Sequence, residues 1–236
     1  MRYLQDWYGD DALEYTRAWQ LQRELHADRV ADRIGDTALL LEHPPVYTAG
    51  KRTEPHERPQ DGTPVVDVDR GGKITFHGPG QLVGYPITKL PSHVLVVDYV
   101  RRIEEALIRA LAEFGIAGGR VPGRSGVWLP AAPGRPERKI AAIGIRVSRG
   151  VTMHGFSLNC DVDMSWYDRF IPCGIADAGV TSMDLELGRD VRPVDVAPTV
   201  ITHLDDLMRW RPYEPSPDID PDPVRIGPPG FLTSTT

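Results

Sequence analysis

The chain has 236 residues, enough to bury a full core in one domain or to divide into two smaller ones. Hydrophobic residues make up 41% and charged residues 25%, the balance of a soluble globular protein. A net charge of −6 argues against nucleic acid as the main partner, no apolar run approaches a membrane span, and two cysteines are too few for a disulfide scaffold or a cysteine-built zinc site.

The start, MRYLQDWYGDDALEY, is acidic and aromatic. It lacks the basic-then-apolar order of a signal peptide, so the chain reads as cytoplasmic. Leu13, Ala18, Leu21, Leu25 and Val30 recur at near-helical spacing and predict an amphipathic helix over 10–33. The apolar run 37–43 predicts a buried strand that Pro44 and Pro45 stop. Residues 48–64 read as a loop, and VVDVD at 65–69 alternates like a strand. In RGGKITFHGPGQLVGYPI (70–87), Gly78-Pro79-Gly80 forms a turn between two strand-like runs. Asp98 caps a predicted helix whose apolar face is Val100, Ile103, Leu107, Leu111 and Phe114, and Gly115 stops it.

GVWLP at 126–130 predicts a strand, and 131–138 a loop. IAAIGIRV and VTMHGFSLNC then flank Ser148-Arg149-Gly150, a hairpin signal. With Val147 facing Val151, Gly144 falls opposite His154, Ala142 opposite Phe156 and Lys139 opposite Asn159. On that register the small residues leave room for a ligand. SWYDRF (165–170) reads as a helical turn, and 196–208 as the last helix, capped by Asp195. The folded domain is expected over 1–211, and the proline-rich, acidic stretch 212–236 as a disordered tail.

Two motifs carry the densest chemistry: RKIAAIGIRVSRGVTMHGFSLN at 138–159 and PCGIADAGVTSM at 172–183. A thiolate is a strong nucleophile, but a free thiol is mostly protonated at neutral pH. It needs a cation or a base beside it, and a lysine can serve as either. Cys173 lies in a Pro-Cys-Gly turn that can expose the thiol, whereas Cys160 ends an apolar run and reads as a small buried hydrophobe. Taken alone, Lys139 reads equally as a surface lysine. His77 and His154 stand among glycines in strand-like runs and read either as structural histidines or as pocket walls.

Seven cations fall in 120–149 against Glu137 alone, which reads as a solvated surface or as a docking patch for an acidic partner. Arg70-Gly71-Gly72-Lys73 is no P-loop, since GxxxxGK[ST] is missing, and its glycines suit close approach of the backbone to an acyl chain. No GxSxG, no papain-like cysteine context and no metal-ligand spacing is present.

These motifs, with LLLEHPPVYTAGKRT at 39–53, resemble the octanoyl-[acyl-carrier-protein]–protein N-octanoyltransferase family, also called lipoate-protein ligase B, from about residue 10 to about 210. The resemblance implies one α/β domain of the biotin/lipoate ligase type, a mixed sheet flanked by helices. It implies transfer of octanoyl, or lipoyl, from the phosphopantetheine of acyl carrier protein to a lysine of lipoyl domains, those of 2-oxoacid dehydrogenase E2 subunits and of glycine cleavage H protein. It implies no ATP, no bound cofactor, no metal, no membrane and a monomer. The family's nucleophile maps onto Cys173 and its lysine onto Lys139. Its acyl-pocket segments map onto Arg70, Gly71, Gly72, Lys73, Ile74, Thr75, Phe76 and His77, onto Ala142, Ile143 and Gly144, and onto Gly155, Phe156 and Ser157 beside His154. Ser157 stands where the family more often carries Ala, which makes that wall more polar. Two rivals remain open. One is an ATP-dependent lipoate or biotin ligase on the same fold, and the other is a non-catalytic acyl or lipoyl-domain binding module.

Overall fold

A computed structural model describes residues 1–59, 63–170 and 178–219. Its main sheet runs β1 (Arg2–Trp7), β2 (Thr37–Leu41), β6 (Gln81–Ile87), β10 (Val151–Asn159), β9 (Arg138–Ser148), β8 (Arg124–Leu129), β7 (Gly119–Val121). The short β11 (Gly179–Val180) pairs parallel to β9 at Arg138 and Lys139. β1 and β2 are parallel, and the remaining neighbours are antiparallel. A second sheet holds β4 (Val65–Asp67), β3 (Val46–Ala49) and β5 (Thr75–His77) in that order.

Both faces of the main sheet are covered. In β2, Leu39 and Leu41 pack with Ala18, Leu21 and Leu25 of α1 (Tyr15–Val30), while Leu40 between them enters the core under α2 (Val96–Glu113) and α4 (Pro193–Leu207). That alternation is the period of a strand buried on two sides. β6 and β10 follow suit, with Phe156 and Leu158 on the α2 face and Val151 and Met153 facing Leu25 and Val30.

The expected helices, hairpin and strands appear with shifted ends. α2 begins before Asp98, and α4 begins at Pro193, where the ring's fixed φ suits the first helical position. The hairpin register differs by one residue. Arg149 and Gly150 both have positive φ (51° and 73°), a two-residue turn of the primed type, so Ser148 rather than Val147 faces Val151. Gly144 therefore lies opposite Gly155, and Ala142 opposite Ser157.

Residues 212–219, expected in the tail, run against α2 and β7. Ser216 donates from its N–H and hydroxyl to buried Glu105, and Ile219 N–H donates to Arg120 O at 2.7 Å. Arg120 is buried between Glu105 and Asp218. Residues 220–236 lie outside the described ones.

Candidate functional site

A cavity of about 320 Å³ opens on the α1 side of the sheet, at the small end of the range for ligand sites. It runs along β9 and β10 from Lys139 to Gly144, roughly 15 Å at about 3.3 Å per residue. Of the expected pocket residues, Arg70, Gly72 to Thr75, His77, Ala142 to Gly144 and His154 to Ser157 line it, together with Lys139. Gly71 and Phe76 do not. Phe76 alternates to the other side of β5 and stacks on Trp166, with centroids 5.0 Å apart. The N–H of Gly71 is held by Ile145 O at 3.0 Å.

The expectation that small residues leave room for a ligand is half corrected. A Cβ on Gly155 would stand 2.1 Å from Gly84 O, and one on Gly144 would stand 3.1 Å from Arg70 Cδ. Protein already fills the space at both glycines, so the room lies beside Ala142 and Ser157.

Two backbone irregularities aim polar side chains into this cavity. The first is a bulge in β9. Val127 pairs with Ala141 and Trp128 with Lys139, which leaves Ile140 as an extra residue. Ile140 and the adjacent Ala141 both enter the helical core, whereas regular alternation would place them on opposite faces. The bulge thus puts Lys139 on the same side as Ala142 and Gly144. The second is His154, whose φ is +57°, a backbone state that costs a non-glycine residue about 1–3 kcal/mol. Its ring turns toward α1, where it meets Trp19, and its backbone N–H is taken by Gln22 Oε1 at 2.9 Å.

Local electrostatics keep the histidines neutral. Burial, reinforced by Arg70 and Arg146, lowers His154 to about 3. Its Nε2 lies 2.8 Å from Asp69 Oδ1, and a carboxylate only accepts, so Nε2 carries the proton and Nδ1 the lone pair. Arg146 holds the other Asp69 oxygen. His77 is pushed well below its ordinary value, first by burial and then by His43. Its Nδ1 donates to Gln81 Oε1 at 2.7 Å. Gln81 in turn donates to Asn159 at 2.9 Å, and Asn159 donates to Thr181 O at 2.9 Å.

Lys139 Nζ stands 4.6 Å from the centroid of buried Trp128, a cation–π contact. Thr181 N–H donates to Lys139 O at 2.9 Å, so the chain following residue 177 is tied down beside this lysine. Cys173 falls within 171–177, outside the described residues. Cys160 is buried in the core, where desolvation raises its thiol pKa far above the ordinary range. Among the described residues, no group of three or more His, Cys, Asp or Glu could hold a metal, and no helix is long and apolar enough to cross a membrane.

The basic run 120–149 is not one surface. Arg120 pairs with Glu105, Arg124 with Glu137, Arg138 with Glu186 and Arg146 with Asp69. Arg149 sits at the hairpin tip, roughly 36 Å along β9 from Arg138 at about 3.3 Å per residue. Sequence reasoning missed Tyr15, Arg52, Tyr85, Gly123 and the first residues of β8, Arg124 and Ser125, all of which line the cavity. The apolar spacing of 10–33 gave no sign that Tyr15 faces a site, and Arg52 stood in a stretch read as plain loop.

The Lipoyl protein ligase A/B catalytic domain family matches residues 14–205. An Octanoyltransferase of Salinispora tropica is 66% identical over 196 residues, covering 83% of this chain and 92% of that protein. An Octanoyltransferase of Acidothermus cellulolyticus is 62% identical over 204 residues, covering 86% and 92%. Among solved structures, a bi-partite lipoate protein ligase from Thermoplasma acidophilum superposes with a TM-score of 0.62 at 14% identity, over 88% of this chain and 83% of that one. Biotin protein ligase from Aquifex aeolicus in complex with biotin and ATP gives 0.55 at 15% identity, over 88% and 70%. These two likenesses speak for the fold.

Proposed function

The chain belongs to the octanoyltransferases of the lipoyl protein ligase A/B catalytic domain family, and from that premise we propose that it transfers an octanoyl group from acyl carrier protein to a lysine of a lipoyl domain through a thioester on Cys173. The observation that carries the reading is that Lys139 lines the same elongated cavity as the family's acyl-pocket segments. The segment bearing Cys173 rejoins the sheet where β11 pairs with Lys139, which supports bringing thiol and amine together.

Lys139 takes the proton of the Cys173 thiol. The thiolate attacks the octanoyl carbonyl, the new S–C bond forms, and the bond to the pantetheine sulfur breaks. The leaving thiolate takes back the proton. The acceptor lysine amine then attacks the enzyme thioester, and the Cys173 thiolate leaves and recovers the proton that the amine sheds through Lys139. The first exchange is nearly isoenergetic and the second runs downhill from thioester to amide, so no nucleotide is required. Neutral His77 and His154 flank the chain without adding charge to an apolar ligand.

Octanoyl-acyl carrier protein, with and without ATP and without acceptor, tests the reading. One octanoyl mass should appear on the protein without ATP. Cys160→Ala should keep it and Cys173→Ala should lose it. An adduct that needs ATP, or that survives Cys173→Ala, overturns the mechanism.

A further inference from the structure

One cation at the cavity mouth is not used by the fold. Arg70 is buried and donates to the carbonyls of Gly71, Lys73 and Thr48. Lys73 pairs with Glu57, and Arg124 pairs with Glu137 at 3.2 Å. Arg52 also lines the cavity, yet it is exposed and forms no ion pair among the described residues. Its backbone is fixed. Arg52 N–H donates to Gly72 O at 3.1 Å, Lys51 N–H to Arg70 O at 3.2 Å, and Thr53 N–H to Gly50 O at 3.0 Å. Gly50 lies so close to the Gly72 strip that a Cβ there would stand 2.5 Å from Gly72 O. Lys51 beside it is exposed as well, but Arg52 is the residue of the two that lines the cavity.

Resting on the function proposed above, we infer that Arg52 is the subsite for the phosphodiester of the donor's phosphopantetheine arm. The acyl chain enters first and lies beside Ala142 and Ser157, which brings the thioester to Lys139. The pantetheine arm then runs back from Lys139 along the Arg70–Gly72 strip to Arg52, roughly 15–20 Å at about 3.3 Å per residue of β9, and the phosphate is the only charge that it carries. An arginine fork offers two parallel N–H groups to two phosphate oxygens. A phosphodiester stays anionic at neutral pH, so this contact sets how far the thioester advances without moving a proton. The acceptor lysine brings no such group, which confines the subsite to the first half-reaction.

The test compares acyl-enzyme formation from three donors: octanoyl-acyl carrier protein, octanoyl-4′-phosphopantetheine and octanoyl-pantetheine. The readout is the ratio of kcat/KM between the phosphorylated and the unphosphorylated small donors. In Arg52→Ala this ratio should fall by about 10-fold or more, the worth of a charge-assisted hydrogen bond. Arg52→Lys should recover part of it, and raised salt should lower it in the unaltered protein. An equal loss on both small donors means that Arg52 only shapes the cavity, and it overturns the inference. So does a loss seen with the carrier protein alone, which would make Arg52 a contact for carrier carboxylates, and so does a defect confined to transfer onto the lipoyl domain. If the unaltered protein takes octanoyl from none of the three donors, the acyltransfer reading itself has failed. A thermal melt of each variant separates these outcomes from unfolding.

Discussion

Gly126→Ala joins stability to the site. Gly126 has φ +110°, a region that a residue with a Cβ enters at a cost of about 1–3 kcal/mol. Its Cβ would also stand 2.4 Å from Ala141 O, which is backbone and cannot rotate away, and such overpacking adds about 1–3 kcal/mol. Together that is about 4 kcal/mol, set against a typical domain stability of about 5–15 kcal/mol. At about 2–4 °C per kcal/mol for a chain of this size, Tm should drop by roughly 10 °C. Ala141 follows the bulge that presents Lys139, and the added methyl would also lie 3.5 Å from Lys139 Cε. Acyl-enzyme formation should therefore fall further than the folded fraction does. Gly123→Ala is the control. Gly123 has φ +79° and nothing within 4 Å of a built Cβ, so only the backbone cost of about 1–2 kcal/mol applies. The assays are thermal denaturation and intact-mass kinetics. If the two variants melt within about 2 °C of each other, the Ala141 carbonyl is not what demands glycine at 126, and the argument fails.

Lys139→Arg keeps a positive charge but cannot act as a base. Alkylation of Cys173 should stay near the unaltered rate while transfer to the lipoyl domain stops, and full rates in both half-reactions would make the lysine an electrostatic partner only. Ala142→Leu should displace about two methylenes of the ligand, about 0.8 kcal/mol each, and so lower kcat/KM for octanoyl about 15-fold relative to butyryl. Equal effects on both chain lengths would place the acyl group elsewhere. Burial is the largest cause that lowers His43 to about 4 and His154 to about 3, against about 6.5 in the unfolded chain. The unfolded state therefore binds more protons below pH 6.5, and stability present above that value is lost as pH falls toward the folded values. The loss is about 2 kcal/mol per imidazole by pH 5, and urea midpoints equal at pH 7 and pH 5 would contradict it. Arg149→Glu, at the hairpin tip far from Lys139, should leave KM for the carrier protein unchanged, and a several-fold rise would restore the wider docking patch.

Much of this site was legible because glycine and alternation are local signals. The strand-like runs around Gly78-Pro79-Gly80 and the hairpin at Arg149-Gly150 announced themselves through turn chemistry. The one-residue error in the hairpin arose from counting Ser148 into the turn, when two residues of positive φ suffice. What stayed hidden depends on tertiary pairing. Strand β1 reads as an acidic, aromatic start and becomes a strand only because it pairs with β2. The charge run 120–149 looked continuous because its partners, Glu105, Glu186 and Asp69, are distant in sequence. Residues 212–219 look unfoldable alone, and they gain their order from Glu105 and Arg120.

The extra residue at Ile140 makes the orientation of Lys139 depend on strand pairing as well as on residue identity. Lys139 and Ala142 stand three apart, so a straightened strand of the same length would put them on opposite faces and send the lysine toward the helical layer, with the cavity walls beyond it unaltered. Removing one residue between them would leave them two apart, and a regular strand would then keep the lysine facing the cavity. The pairing of Val180 with Lys139 and the bond from Thr181 N–H to Lys139 O clamp the near side of the bulge. Loosening that clamp is thus a way to turn the reactive amine out of the site with every motif intact.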